Sequence, residues 1–193
     1  GTTSVGGTAT GSSVYLGPQY NSDYILIGLW SGNLIDDVIA KVWNGTSLVT
    51  SLAADSSAYT SDASGNSLMA TGWAGTDPRG VFIYSDAATN LNITYNVYNK
   101  DSDTWSSTFQ TNHSMVTPFS DEEVWFKLYS FIEENKTFAF ISDDTTSDLW
   151  VKLYNPSSTY NWSDIDSGVA LETSGSSADQ SHFDFSWNMY NPL

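Results

Sequence analysis

The chain has no cysteine, which removes a disulfide framework, a thiolate metal site and a cysteine nucleophile together. Positive charge is nearly as scarce: Lys and Arg total 6 against 22 Asp and Glu, the net charge is −16, and Arg79 is the single arginine. Such a surface repels phosphate backbones, so nucleic acid is not an expected partner. The two histidines, His113 and His182, are too far apart in sequence to form a short metal-ligand spacing, and a loop or edge role is expected for both. No apolar run approaches the roughly 18 residues of a membrane-crossing helix, so no transmembrane segment is expected. There is no Gly-x-Ser-x-Gly elbow and no phosphate loop. Helical periodicity is missing too, since no window sustains apolar residues at i, i+3, i+4 and i+7. The first residue, Gly1, is not an initiator methionine, and the expectation is a mature or trimmed product whose export signal has been removed.

What is present is a globular composition with a repeat. In 193 residues, 40% are hydrophobic and 15% aromatic, enough for one sizeable core. The stretch Ile93-Thr94-Tyr95-Asn96-Val97-Tyr98-Asn99 matches Val38-Ile39-Ala40-Lys41-Val42-Trp43-Asn44 and Leu149-Trp150-Val151-Lys152-Leu153-Tyr154-Asn155, at offsets of 55 and 56 residues. In each copy the first, third and fifth positions are apolar, the fourth is Lys or Asn, the sixth is aromatic and the seventh is Asn. That alternation predicts a strand with one buried face. Upstream of each copy runs a more apolar strand, Ile25 to Ser31, Val81 to Ser85 and Phe138 to Ser142, expected to be covered on both faces. Opening strands are predicted at Val14 to Gly17, Leu68 to Trp73 and Val124 to Phe131. A closing hairpin strand is marked by Trp105 and Trp162, with Leu48 in the shorter first copy.

The predicted fold is all-β: three consecutive four-stranded antiparallel repeats of about 56 residues, propeller-like or sandwich-like, plus an extra C-terminal strand. The expected divisions are a tail over 1–12, flexible or strand-donating; a single domain over 13–181 with repeats 13–65, 66–121 and 122–181; and a C-terminal strand over 182–193. In the tail, GTTSVGGTATGS, no side chain is large enough to anchor a core, while Thr and Val favour strands and small residues permit close approach to an open edge. Phe183 to Tyr190 alternates like the opening strand of a fourth repeat. It pairs either with the chain's own first repeat or with a neighbouring subunit.

Most acidic residues are Asp, many at predicted turns, where an Asp side chain bonds its own backbone. Asp101, Asp103, Asp143, Asp144 and Asp148 are the calcium candidates among them; no other cofactor is expected. Adjacent acids at Asp36 and Asp37, Glu122 and Glu123, and Asp143 and Asp144 do not make a glycosidase pair by adjacency, because neighbours on a strand point to opposite faces. No catalytic residue is assigned. Asn-x-Ser/Thr sequons stand at Asn44, Asn92, Asn112, Asn135 and Asn161, and N-linked glycans are expected on a secreted chain.

The four-strand unit, its period and the turn Asn99-Lys100-Asp101-Ser102-Asp103-Thr104-Trp105 resemble the blades of β-propeller proteins with Asp-box-like hairpins. The stretch Trp43-Asn44-Gly45-Thr46-Ser47-Leu48 is similar to a Trp-Asn/Asp-Gly-x-x-Trp motif in repeats of secreted bacterial and archaeal surface proteins, with Leu48 at the second Trp. The likeness covers about Tyr24 to Ser163. A sialidase-like propeller enzyme would need several arginines for a substrate carboxylate, and this chain has one. The expected function is a non-enzymatic extracellular structural protein, self-assembling or adhesive, joined by strand sharing. A carbohydrate-binding module that stacks sugars on Trp105 or Trp162 is the alternative, and a glycoside hydrolase fragment the third.

Overall fold

The structure, a computed structural model, describes residues 12–31, 37–55, 69–85, 93–106, 109–110, 124–143, 148–157, 161–165 and 172–173. The first sheet runs β1 (Ser12–Pro18), β2 (Tyr24–Ser31), β3 (Asp37–Asn44) and β4 (Leu48–Asp55), in that order. The second runs β5 (Met69–Trp73), β6 (Arg79–Ser85), β7 (Ile93–Asn99) and β8 (Thr104–Trp105), with the two-residue β9 (Phe109–Gln110) sharing the outer edge of β7. The third runs β10 (Val124–Phe131), β11 (Lys136–Asp143), β12 (Asp148–Asn155) and β13 (Asn161–Asp164), and β14 (Glu172–Thr173) pairs with β12. Every pairing is antiparallel, and the described residues contain no helix. The expected all-β fold of three successive four-stranded units is the fold observed. The additional strand expected over Phe183 to Tyr190 and the tail before Ser12 lie outside the described residues.

Strand register shows how the units relate. Reading across the first three strands of each sheet, Gly17, Leu26 and Val42 align as Gly72, Val81 and Val97 do, and as Tyr129, Phe138 and Leu153 do. The neighbouring row, which points to the opposite face, is Leu16, Ile27 and Lys41 in the first sheet, Thr71, Phe82 and Asn96 in the second, and Leu128, Ala139 and Lys152 in the third. The sheets stack in series through these faces. Leu26, Val38, Ala40 and Val42 of the first pack with Met69, Trp73, Phe82, Tyr84 and Tyr98 of the second. The opposite face of the second, with Ala70, Val81, Ile83, Tyr95 and Val97, packs with Phe126, Ala139, Ile141, Trp150 and Tyr154 of the third.

The inner strand β5 is the hub, lying against β1 on one side and β10 on the other. Close approach there depends on missing side chains. A Cβ built on Gly17 would stand 2.7 Å from the Thr71 carbonyl oxygen, and one on Gly72 would stand 3.0 Å from Leu128 Cβ. Glycine is thus required at Gly17, where the obstacle is backbone, and favours close approach at Gly72.

Alternation predicts a strand with one buried face, yet Thr94, Tyr95, Asn96, Val97 and Tyr98 of β7 are all buried. A sheet stacked between two others has no solvent face, so its polar alternation becomes a buried one. Lys152, at the same repeat position as Asn96, is likewise buried beneath the second sheet. Of the sixth-position aromatics, Tyr98 and Tyr154 pack between units, whereas Trp43 is half-buried and belongs to neither inter-unit cluster.

Candidate functional site

The turns at one end of the stack carry a polar bracket that crosses from sheet to sheet. The turn between β1 and β2 contributes Gln19, whose Nε2 donates to the Asp77 carbonyl at 3.0 Å, while its Oε1 accepts from Lys100 Nζ at 3.2 Å. Lys100 also sits 4.7 Å over the ring of Tyr24. Arg79 binds Asp77 through two bonds, Nε to Oδ1 at 2.7 Å and Nη2 to Oδ2 at 3.0 Å, and its Nη1 donates to the Pro156 carbonyl. Such a forked pair is a specific arrangement for guanidinium and carboxylate. The single arginine is therefore engaged in tying the second unit to the third.

Below the bracket, Trp73 joins both interfaces. Its Nε1 donates to the Gly17 carbonyl at 2.9 Å, and its own carbonyl accepts from Ser130 Oγ at 2.5 Å and Thr137 Oγ1 at 3.0 Å. Tyr24 and Tyr98 meet its ring edge-on, each with centroids 6.1 Å away.

Two aromatic residues considered for sugar stacking occupy packing positions. Trp105 is half-buried against Tyr98 at 5.3 Å, and Trp162 is half-buried between Tyr154 at 5.3 Å and Tyr95 at 5.7 Å. The Nε1 of Trp162 is buried without a hydrogen-bond partner among the described residues. Both rings contribute to packing, Trp105 against its cross-strand partner Tyr98 and Trp162 against Tyr95 of the second unit.

Among the described residues the calcium candidates fall into two places, Asp101 with Asp103 and Asp143 with Asp148. Asp103, in a left-handed conformation with φ of 51°, accepts the Tyr98 hydroxyl on Oδ1 at 2.8 Å, whereas Asp101 is exposed. Burial pushes the Tyr98 hydroxyl far above its ordinary pKa, and the hydrogen bond to Asp103 adds to the shift. Register sets Asp143 opposite Asp148 at the end of the β11–β12 pair, and Asp144 lies outside the described residues. Among the described residues no group of three or more potential metal ligands is assembled.

The sequons separate by the work their side chains do. Asn44 heads an exposed hairpin, with its Oδ1 accepting from Thr46 N at 3.0 Å and Ser47 N at 2.8 Å. That is turn chemistry, and it leaves Nδ2, the atom a glycan uses, outside the bond. Asn135 is different: its Oδ1 accepts from Thr76 N at 2.9 Å and Thr76 Oγ1 at 2.8 Å, in the neighbouring unit. The Thr137 of that sequon is fully buried on the Trp73 carbonyl. Asn161 begins β13, and Asn92 and Asn112 lie outside the described residues, as do His113 and His182.

Sequence reasoning missed one concave feature. A crevice of about 250 Å³ opens along the inner strands, with Tyr15, Thr71, Phe126, Lys127 and Tyr129 among its walls. Thr71 Oγ1, beside it, is buried without a hydrogen-bond partner among the described residues. Its residues come from three repeats, so only register across all three could have pointed to it. No family model matches the chain, and no curated protein matches it either.

Proposed function

We propose that this chain is a non-enzymatic extracellular structural or adhesive subunit that assembles with like subunits on a cell surface. The observation that carries the reading is the employment of its polar and aromatic side chains. Arg79, Gln19, Lys100, Asn135, Trp105 and Trp162 all serve contacts within or between the stacked units, as expected of a scaffold whose product is its own shape. The blade-like order of each sheet supports kinship with propeller-type repeats of secreted surface proteins. Assembly proceeds by strand sharing, through the small-residue tail over 1–12 or the alternating strand over 182–193. A head-to-tail contact that does not close produces a filament.

Light scattering with negative-stain microscopy tests this: fibres or sheets are expected, and a stable monomer at high concentration sinks the assembly claim. Deleting residues 1–12 identifies the shared end, because fibres that persist assign the sharing to the C-terminal strand. Peptide mapping from a glycosylating host tests the extracellular claim. Modification is expected at Asn44; a chain secreted without any modified sequon would refute the glycan claim.

A further inference from the structure

The third sheet is the last described one in the stack, yet its outward face is not open. The second sheet covers its other face, and no described sheet follows it. By register the outward rows are Lys127, Phe140 and Val151, then Tyr129, Phe138 and Leu153. None of the six is exposed, whereas at the opposite end of the stack Val14 and Leu16 of β1 are 54% and 62% exposed. Phe140 is only 5% exposed although it belongs to neither inter-unit cluster. Tyr129 meets it edge-on at 5.6 Å, and Phe131 meets Phe138 at 5.7 Å. Contacts within one face do not cover its own top, and all four aromatics engage in interactions beyond these two pairs.

The repeat points to the occupant. Ser130 follows Trp73 by 57 residues at the same repeat position, and an equal step from Ser130 arrives at Trp187. On that alignment Phe183 and Phe185 match Phe126 and Leu128, which face the preceding sheet. Strand alternation then sets Phe183, Phe185 and Trp187 on one side and Asp184, Ser186 and Asn188 on the other. The aromatic side repeats what each later unit brings to an interface, large rings for the sheet before it. The polar side offers nothing for a further sheet to bury.

The connection is a repeated one as well. β9 pairs with β7 before the chain crosses to β10, and β14 pairs with β12 before residues 174–182 lead to Phe183. Fully extended, those nine residues span up to about 30 Å. Three strand spacings and one sheet spacing call for about 18 Å. Tyr129 holds the position of Gly17 and Gly72, so this contact is ring on ring and stands farther off than the two glycine contacts.

We propose that residues 183–190 form a capping strand on the outward face of the chain's own third sheet, with Phe183, Phe185 and Trp187 against Tyr129, Phe138 and Phe140 and the polar beat toward water. The cap narrows the assembly reading without depending on it. A C-terminal strand used inside its own chain leaves the tail over 1–12 as the end that neighbours share.

Crosslinking in this cysteine-free chain tests the cap. A Cβ on Gly72 would stand 3.0 Å from Leu128 Cβ, and the repeat carries that pair to Tyr129 and Phe185. Tyr129→Cys with Phe185→Cys, treated with a short bismaleimide in dilute solution, should give a linked peptide pair at one-chain mass. Ile165→Cys with Phe185→Cys, at an exposed residue beyond the outer strand β13, should link much less. No link in the first pair, a link at two-chain mass, or equal yields in both pairs overturns the proposal. If the first variant loses its strand circular dichroism, chymotrypsin on the parent chain decides. Cleavage after Phe183, Phe185 and Trp187 should be at least about tenfold slower than in a synthetic 181–193 peptide, and constant between about 1 and 100 µM chain. Peptide-like cleavage, or protection that grows with concentration, overturns the cap. A chain that links internally and never forms fibres would refute the assembly reading and leave the cap standing.

Discussion

The two interfaces of the stack are built on one plan and fastened by different chemistry. At both, the earlier sheet offers mostly aliphatic side chains and the later one supplies the large aromatics, Trp73 and Tyr98 at the first and Phe126, Trp150 and Tyr154 at the second. At both, a side chain of the later inner strand donates to a carbonyl near the end of the earlier one. The donor is the Trp73 indole at the first interface and the Ser130 hydroxyl at the second, and the two residues occupy the same repeat position. The repeat thus preserves a linkage while its chemistry changes. An indole fills space as well as donating; a serine only donates, and Thr137 shares its acceptor.

The largest expected effect follows from that inequality. Trp73→Ala removes a fully buried ring together with the bond to Gly17, for a loss of about 3–5 kcal/mol. Ser130→Ala should cost about 0.5–1.5 kcal/mol, because the Trp73 carbonyl retains the Thr137 hydroxyl. Urea denaturation of both variants measures the gap. Equal losses would mean that the interfaces are fastened alike, against the comparison.

Next in size is the glycine pair. At Gly17 a new Cβ meets backbone, the Thr71 carbonyl at 2.7 Å, whereas at Gly72 it meets Leu128 Cβ at 3.0 Å. Overpacking against a carbonyl forces inner strands apart, so Gly17→Ala should lose about 1–3 kcal/mol, and Gly72→Ala less. The reverse order in a denaturation series would place the tighter approach at the second interface.

These positions also show what could be read without a structure. The period-two pattern marks Val38, Ala40 and Val42, and Tyr95 and Val97 in the second copy, as core, because alternation is a local property of the strand. In the third copy Leu149, Val151 and Leu153 are only half-buried, and Trp150, Lys152 and Tyr154 on the opposite beat are buried instead. Asn96 and Lys152 occupy the polar beat of that pattern, and locally they read as solvent-facing. Their burial is set by a sheet some 55 residues away, and nothing within the strand reports it. Asn135 carries a non-local role that its three-residue sequon does not show: the bonds of its Oδ1 to Thr76 cross 59 residues. Gly17 and Gly72 stand out only once register aligns them with Tyr129.

The smallest effect concerns Tyr98 and returns to the first interface. Its hydroxyl donates to Asp103, and burial together with that bond raises its pKa in the folded chain. The unfolded chain ionises near the ordinary value of 10.0. Below that pH both states hold the proton, and the contribution of the group is fully present. Above it the unfolded state loses its proton first, so stability falls as pH climbs from about 10 toward the folded pKa. Tyr98→Phe keeps the ring against Trp73 and Trp105 and removes the titration. It should cost about 0.5–1.5 kcal/mol at neutral pH and flatten the alkaline decline. Denaturation midpoints at pH 8 and pH 11 suffice: a variant declining as steeply as the parent would show that the Tyr98–Asp103 contact does not govern alkaline stability.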